Sequence, residues 1–537
     1  MAITYLALGH RRLRAAAAYA AALPAPVTLV TTAEVPTASD IPGLTVHRVP
    51  NPRAARRLLA PELYAGDPEA LALAYRAGLA TRLEPAPDPD RRPAPADLAV
   101  VTPWYPSPDD LFAGAFVEAS TAAVGPYVGR VSILHTQSWF YGPGRLAGQI
   151  VGVAAERQAR RSGAAVTLDT DEGELTRVAV PSPAGGDHMA YADAQTAALR
   201  ASLPTGRIEA PVVHAHTGMM GGVVAARLAR PDARIVVTEH ATFLDQVLAR
   251  PAAHWQYGRV LARADLLLCV GRDLRDQLAE RFPAHAGKLR ILPNAIDFDR
   301  FALRPEPPVE PLRWLYVGRL MPHKGVLTLV DAFARVAAAD PRLTLRLVGA
   351  GPAGDAVDRR IVELGLTGRV SVCPPVPPDQ VTGLMHRHDL LVHASLRETF
   401  GMTVVEAIAT GTPVLVARSR GPAETLAGIE EMAGRVFEPT EDPAELAEEF
   451  QKLRARFTEL DLIGARAELL ARYGREAVGA RLHEAYTEPG PPSDATVPEP
   501  APPALQRFAA RFSSPVPEAL VRTALRVFRS KEKSAPR

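Results

Sequence analysis

The chain has 537 residues, too many for one ordinary domain and enough for two full cores with additions. Apolar residues make up 47%, the formal net charge is +2, and no apolar run reaches the roughly 18 to 20 residues that a membrane-spanning helix needs. A soluble globular protein is expected, and the near-neutral balance gives no whole-molecule argument for a nucleic-acid partner.

The first residues enter an apolar run with no basic leader, as a first strand does and a secretory signal does not, so a cytoplasmic location is expected. Residues 3–8, 27–32 and 44–49 read as strands, with a helix over 11–22, which is half of a doubly wound α/β unit. Residues 1–83 are therefore assigned to an N-terminal α/β extension. A stiff Pro-rich linker follows over 84–96.

Residues 97–300 alternate strand-like and helix-like segments, with strands at 100–103, 131–135, 212–216, 235–240, 266–270 and 289–292. Residues 164–181 form an expected hairpin turning at Asp171, Glu172 and Gly173. A second alternating block, 301–487, has strands at 314–317, 343–348, 370–373, 390–393 and 414–417 and closes with a helical pattern over 443–486. Cys269 and Cys373 lie inside strand-like runs and read as buried small hydrophobes, neither a disulfide nor a metal cluster.

Beyond a second Pro-rich linker, 488–504, the tail 505–537 carries eight basic and two acidic residues. Leu520, Val521, Ala524, Leu525 and Phe528 fall on one helix face, with Arg522, Arg526, Arg529 and Lys533 on the other. Such a helix can rest on an anionic membrane, dock on its own protein or stay loose as a solubilising tail.

Open parallel sheets bind ligands at the carboxyl ends of their strands, so two sheets in tandem imply a cleft lined by post-strand loops. The sequence SLRETFGMTVVEA over 395–407 follows one strand and opens a helix. The amides of Met402, Thr403 and Val404, with Gly401 allowing close approach, make that helix start an anion site. Glu398 and Glu406 can reach opposite sides of a bound phosphate to accept sugar hydroxyls, or they are a dipole partner and a solvated helix residue.

Two glutamates separated by seven residues, with Phe-Gly after the first, resemble the signature of retaining GT-B glycosyltransferases of family four. The resemblance implies two Rossmann-like domains facing across a cleft, over about residues 97–487, with the second holding the nucleotide sugar. It implies that Glu398 holds the transferred sugar and Glu406 the donor ribose. The segment YVGRLMPHKG, 316–325, matches the stretch whose arginine and lysine meet the donor phosphates, here Arg319 and Lys324 after Gly318. An enzyme without a metal must place fixed cations there, because charge grows on the leaving diphosphate.

Weaker matches fall in the family's order. Gly349 and Gly351 resemble a glycine loop at the donor site or form a plain turn, and Val376 ends the stretch whose main chain meets the base. PNAID, 293–297, resembles an interdomain hinge marker. In the first domain, TPWYPSPDDLFAGAFV (102–117) resembles the loop that receives acceptor and diphosphate, with Gly114 standing alone where two glycines are usual. His240 stands where the family places a histidine beside the sugar, or is a structural strand-end residue. His214 and His216 share a strand face, but no third ligand is near in sequence, so no metal is assigned. Asp169-Thr170-Asp171 has the form that metal-dependent transferases use, yet it lies in the hairpin and reads as a turn.

The resemblance implies a metal-independent hexosyl transfer with retention, in glycoconjugate or cell-envelope synthesis, needing no cofactor beyond the nucleotide diphosphate sugar as co-substrate. Its partners would be that donor and an acceptor that is a sugar, a lipid-linked group or a small molecule, with peripheral membrane contact through 505–537. A nucleotide-sugar epimerase and a non-catalytic sugar-nucleotide binder are the competing readings. Neither is expected to carry Arg319, Lys324, Glu398 and Glu406 together.

Overall fold

The computed structural model of the chain describes residues 3–8, 26–32, 43–52, 54–60, 62–77, 93–107, 110–141, 165–183 and 188–488, with single residues 20, 23, 79 and 91. The helix expected over 11–22, apart from Ala20, and the tail 505–537 lie outside the described residues. No helix among those described is long and apolar enough to cross a membrane.

Three sheets form. The N-terminal one is parallel throughout, in the order β3 (Leu44–Arg48), β2 (Val27–Thr31), β1 (Ile3–Ala7), β4 (Glu62–Ala65). Strand β4 and the helix Pro68–Ala77 were not foreseen. Leu6, Val30 and Leu71 pack with Trp139 and Ala179, so this unit is seated on the next sheet's long strands.

The second sheet runs β12 (Leu289–Ile291), β11 (Leu266–Cys269), β10 (Arg234–Glu239), β9 (Val212–His216), β5 (Leu98–Thr102), β6 (Val131–Tyr141), β8 (Gly173–Pro183), β7 (Ala165–Thr170). All neighbours are parallel except the β7–β8 hairpin, which turns at Asp171 and Glu172 as the sequence predicts. The hairpin is part of the main sheet, since β8 pairs along the whole extended length of β6. Strands such as β5 (LAVVT) are buried at every position, as a sheet covered on both faces requires.

The third sheet has the order β15 (Val370–Cys373), β14 (Thr344–Val348), β13 (Arg313–Val317), β16 (Leu390–His393), β17 (Val414–Ala417), β18 (Gly434–Phe437). Its core centres on the fully buried Trp314, which meets Phe333 and Phe450 with ring centroids 5.4 and 4.5 Å away. Cys269 is buried and Cys373 partly buried, each in a different sheet.

Among the described residues the chain crosses between these two domains twice. Ala295 packs in the first core and Ile296 in the second. The return is at Gly474, where the helical stretch expected as one piece breaks into Pro443–Ala455, Leu462–Tyr473 and Arg475–Thr487. Val478, Leu482, Ala485 and Tyr486 of the last helix join the first domain's core, so the second domain does not extend to 487 as the sequence suggested. The amide of Ile296 donates to the carbonyl of Tyr473 at 2.8 Å, binding the two crossings into one hinge.

Candidate active site

Strands β13, β14 and β16 all end on the face that looks across the cleft, and three loops converge there. After β13, Tyr316 Oη donates to the Arg319 carbonyl at 2.9 Å, which fixes the backbone and leaves the guanidinium exposed. Leu320 N donates to Ala350 O at 3.0 Å, tying this loop to the one after β14. Gly349 has φ +155°, and any Cβ there would overlap the Gly318 carbonyl, so the glycine loop is a forced close approach and not a plain turn. Gly351 is pressed against Leu320 in the same way. Val376 is half-buried and, like Val317 and Cys373, packs against the buried core of the second domain.

The loop after β16 is stitched to the Lys324 turn, with Leu396 N donating to His323 O at 2.9 Å. This brings Lys324 and Glu398 into an ion pair, both mostly buried at 15% and 18% exposure. Glu398 Oε1 accepts from Thr399 N at 3.1 Å, and His393 Nε2 lies 3.5 Å from Oε2. Burial pushes the Glu398 carboxyl up, but His393 and Lys324 together outweigh it and hold the group well below the usual range. His323 is lowered by burial and by the nearby charges of Lys324, Arg319 and Arg397, which defines a cationic pocket containing one carboxylate.

Gly401 precedes the helix Met402–Ala409. The Val404 amide donates to Gly401 O at 2.9 Å, so it is not a free anion donor as the sequence suggested. Met402 and Thr403 amides have no partner among the described residues, and they leave the positive end of the helix open. Glu406, half-buried on the second turn, has its carboxyl raised to about 7 by burial, with Arg300 pulling the other way.

Across the cleft, Gly114 (φ +72°) opens the helix Ala115–Val124, and a Cβ there would overlap the Trp104 carbonyl. Phe116 lies against His240, ring centroids 4.2 Å apart. His240 Nε2 is 3.0 Å from His216 Nδ1. Burial, then the neighbouring His214, lowers His240 to about 3 against an opposing push from Asn294, so the imidazole is neutral near pH 7. His214 lies between Thr238 Oγ1 at 2.7 Å and Tyr486 Oη at 2.8 Å, a structural role. Among the described residues, no three His, Cys, Asp or Glu side chains cluster as metal ligands would. Asp169 is clasped by Arg91 through two 2.7 Å bonds.

Four residues had no role in the sequence reading. His216, weighed only as a metal ligand, touches His240. His393 touches Glu398. Thr399 Oγ1 reaches Thr242 Oγ1 at 2.8 Å across the cleft. Glu239, 1% exposed, accepts from Gly218 N at 3.0 Å, Tyr257 Oη at 2.8 Å, His240 N at 2.9 Å and Ala241 N at 3.0 Å, pinning both loops that carry the histidines. The available signal was a carboxylate or imidazole ending an otherwise apolar strand.

Residues 151–300 match the family model "Glycosyltransferase Family 4", and residues 299–456 match "Glycosyl transferases group 1". The two matches overlap at residues 299–300 and together span more than half of the chain. The chain belongs to the family-four GT-B glycosyltransferases. A D-inositol 3-phosphate glycosyltransferase of Nocardia farcinica is 33% identical over 232 residues, covering 40% of this chain and 48% of its own length. The chain thus spans about half the length of such curated relatives. Among solved structures, a sucrose-phosphate synthase from Thermosynechococcus elongatus superposes with a TM-score of 0.55 at 18% identity, over 78% of this chain and 100% of its own. Anabaena HepE, solved in complex with UDP, gives 0.51 at 18% identity, over 72% of this chain and 99% of its own. The fold of this family-four chain is accordingly GT-B, as the motifs implied.

Proposed function

We propose that the protein transfers a hexosyl group from a nucleoside diphosphate to an acceptor hydroxyl, with retention of configuration and without a metal ion. The observation that carries this reading is the Lys324–Glu398 pair, set among Arg319, His323 and Arg397 at the open start of the helix Met402–Ala409. A diphosphate is a better partner for Lys324 than one carboxylate, because it brings two negative groups to the same cations and amides. Lys324 and Arg319 then neutralise the charge that grows as the sugar–phosphate bond breaks. Glu398 accepts sugar hydroxyls and Glu406 the ribose hydroxyls.

The sugar carbon gains the acceptor oxygen as it loses the phosphate oxygen, and the acceptor proton passes to the departing diphosphate. His240, neutral and beside Phe116, orients the acceptor or the sugar by hydrogen bonding without supplying charge. HepE was solved with UDP, which makes UDP-sugars the first donors to try.

Thermal shift and product formation across a panel of nucleotide sugars, each with EDTA present, tests the reading. Stabilisation by one nucleotide family and chelator-resistant transfer are expected. Transfer abolished by EDTA and restored by a divalent cation would refute metal independence. The tail is proposed to contact anionic membrane, each cation near the surface adding about 1 kcal/mol. Deleting 505–537 should abolish sedimentation with anionic vesicles, and unchanged sedimentation rules the tail out.

A further inference from the structure

We infer that His393 is a positioning residue that takes over the Glu398 carboxylate when Lys324 turns to the donor diphosphate. This rests on the donor reading above. In the structure, Oε2 of Glu398 serves Lys324 and His393 together, while Oε1 is held by the Thr399 amide. A donor diphosphate competes for Lys324, because a cation on a flexible stem moves to the larger negative charge. Glu398 would then face an anion with only one backbone bond to hold it, just when its lone pairs must meet sugar hydroxyls.

His393 supplies what is missing. It is the last residue of β16, 5% exposed, and its backbone is paired with Val416 in the sheet, so its imidazole is anchored as the lysine is not. An ionised carboxylate only accepts, so Nε2 carries the proton toward Glu398. Nδ1 is buried and has no partner among the described residues. An imidazole with one orphan nitrogen is costly at the end of the strand sequence LLVH, where an aliphatic side chain would continue the apolar pattern. The contact with Glu398 is what that cost supports. With Lys324 departed, the 3.5 Å separation can close to a charge-assisted hydrogen bond.

The test compares UDP with UDP-glucose, which differ by the group that Glu398 would hold. Calorimetry on the full chain should show UDP affinity unchanged in His393→Leu and UDP-glucose affinity reduced about tenfold. His393→Gln, whose amide can donate to Glu398, should recover most of the loss. Equal weakening of both ligands would mean a merely structural role, and no weakening of either would remove the proposal. A ligand-free readout keeps the contact decidable by itself, namely a thermal double-mutant cycle between His393→Leu and Glu398→Gln. Non-additive melting shifts support the contact and additive shifts overturn it. Coupling in that cycle, with neither uridine ligand bound by the wild type, would sink the uridine donor reading and leave the His393–Glu398 contact standing.

Discussion

Two carboxylates with seven residues between them, Glu398 and Glu406, reach opposite ionisation states by local chemistry. Glu398 is buried but has Lys324 and His393, and it stays ionised. Glu406 is raised to about 7 because its burial is offset only by Arg300. To accept two ribose hydroxyls Glu406 must be a carboxylate, so nucleotide binding should strengthen as pH rises through about 7 and plateau above it. Glu406→Gln should bind weakly with no such dependence, and a persisting dependence would assign it to another group. The linked effect on the empty protein has the opposite direction. The folded state holds the proton more tightly than the unfolded chain, so stability falls as pH rises from the ordinary carboxyl value of 4.5 toward 7. Glu406→Gln should flatten that fall in a melting-temperature series. Lys324→Ala should lower turnover by about 100- to 1000-fold, the usual loss for one transition-state donor. Its melting temperature should change little, because Glu398 keeps His393 and the Thr399 amide. Wild-type turnover in that variant would remove Lys324 from the chemistry.

At the level of strands and loops, the parallel sheets were legible because buried strands such as LAVVT and LLVH are apolar runs separated by helical periodicity. Strand β18, GRVF, was not, since it is short and mixes a glycine and an arginine. Strand β4, ELYA, is equally short and opens on a glutamate, so it did not stand out either. The single helical pattern over 443–486 hid a domain crossing, because amphipathic spacing shows that a face is buried but not against which core. Within the site, the donor loops were legible as motifs, whereas Glu239, His393 and Thr399 were not. Glu239 and Thr399 act through partners 18 and 157 residues away, and His393 meets Glu398 only because the loop after its strand folds back, which no local pattern encodes. The Gly318/Gly349 approach is an element-scale constraint with a sharp consequence. Gly349→Ala would place a Cβ on the Gly318 carbonyl at φ +155°, so β13 and β14 must separate or their loops must shift. A loss of about 2 to 4 kcal/mol is expected, read by chemical denaturation, together with loss of nucleotide binding. A variant of wild-type stability would show that the loops move apart freely.

Over the whole molecule, the two domains are joined at one hinge and latched at points across the cleft. The hinge is the paired crossing of Ile296 and Gly474. Beside it lies a cavity of about 250 Å³ with walls from both domains, including Val270, Pro293, Phe400 and Tyr473, which leaves room for the crossing segments to shift. The latch is built on the helix Arg272–Arg281 of the first domain. Glu424, from the second, accepts from the Arg272 amide at 2.6 Å and lies 3.4 Å from its guanidinium, so one domain caps a helix of the other. Arg420 pairs with Asp273 at 2.7 Å alongside. Exposed ion pairs contribute little, but a helix cap is worth about 1 kcal/mol and exists only while the domains are together. Losing it should lower the closed population and raise the apparent donor Kd by the same factor, about fivefold. Glu424→Ala should therefore raise KM for the donor, enlarge the radius of gyration in solution scattering and leave the far-ultraviolet circular dichroism unchanged. Added salt should weaken donor binding more in the wild type than in the variant, because the screened contact is already gone. An unchanged radius of gyration with an unchanged KM would show that Glu424 caps its helix without governing closure.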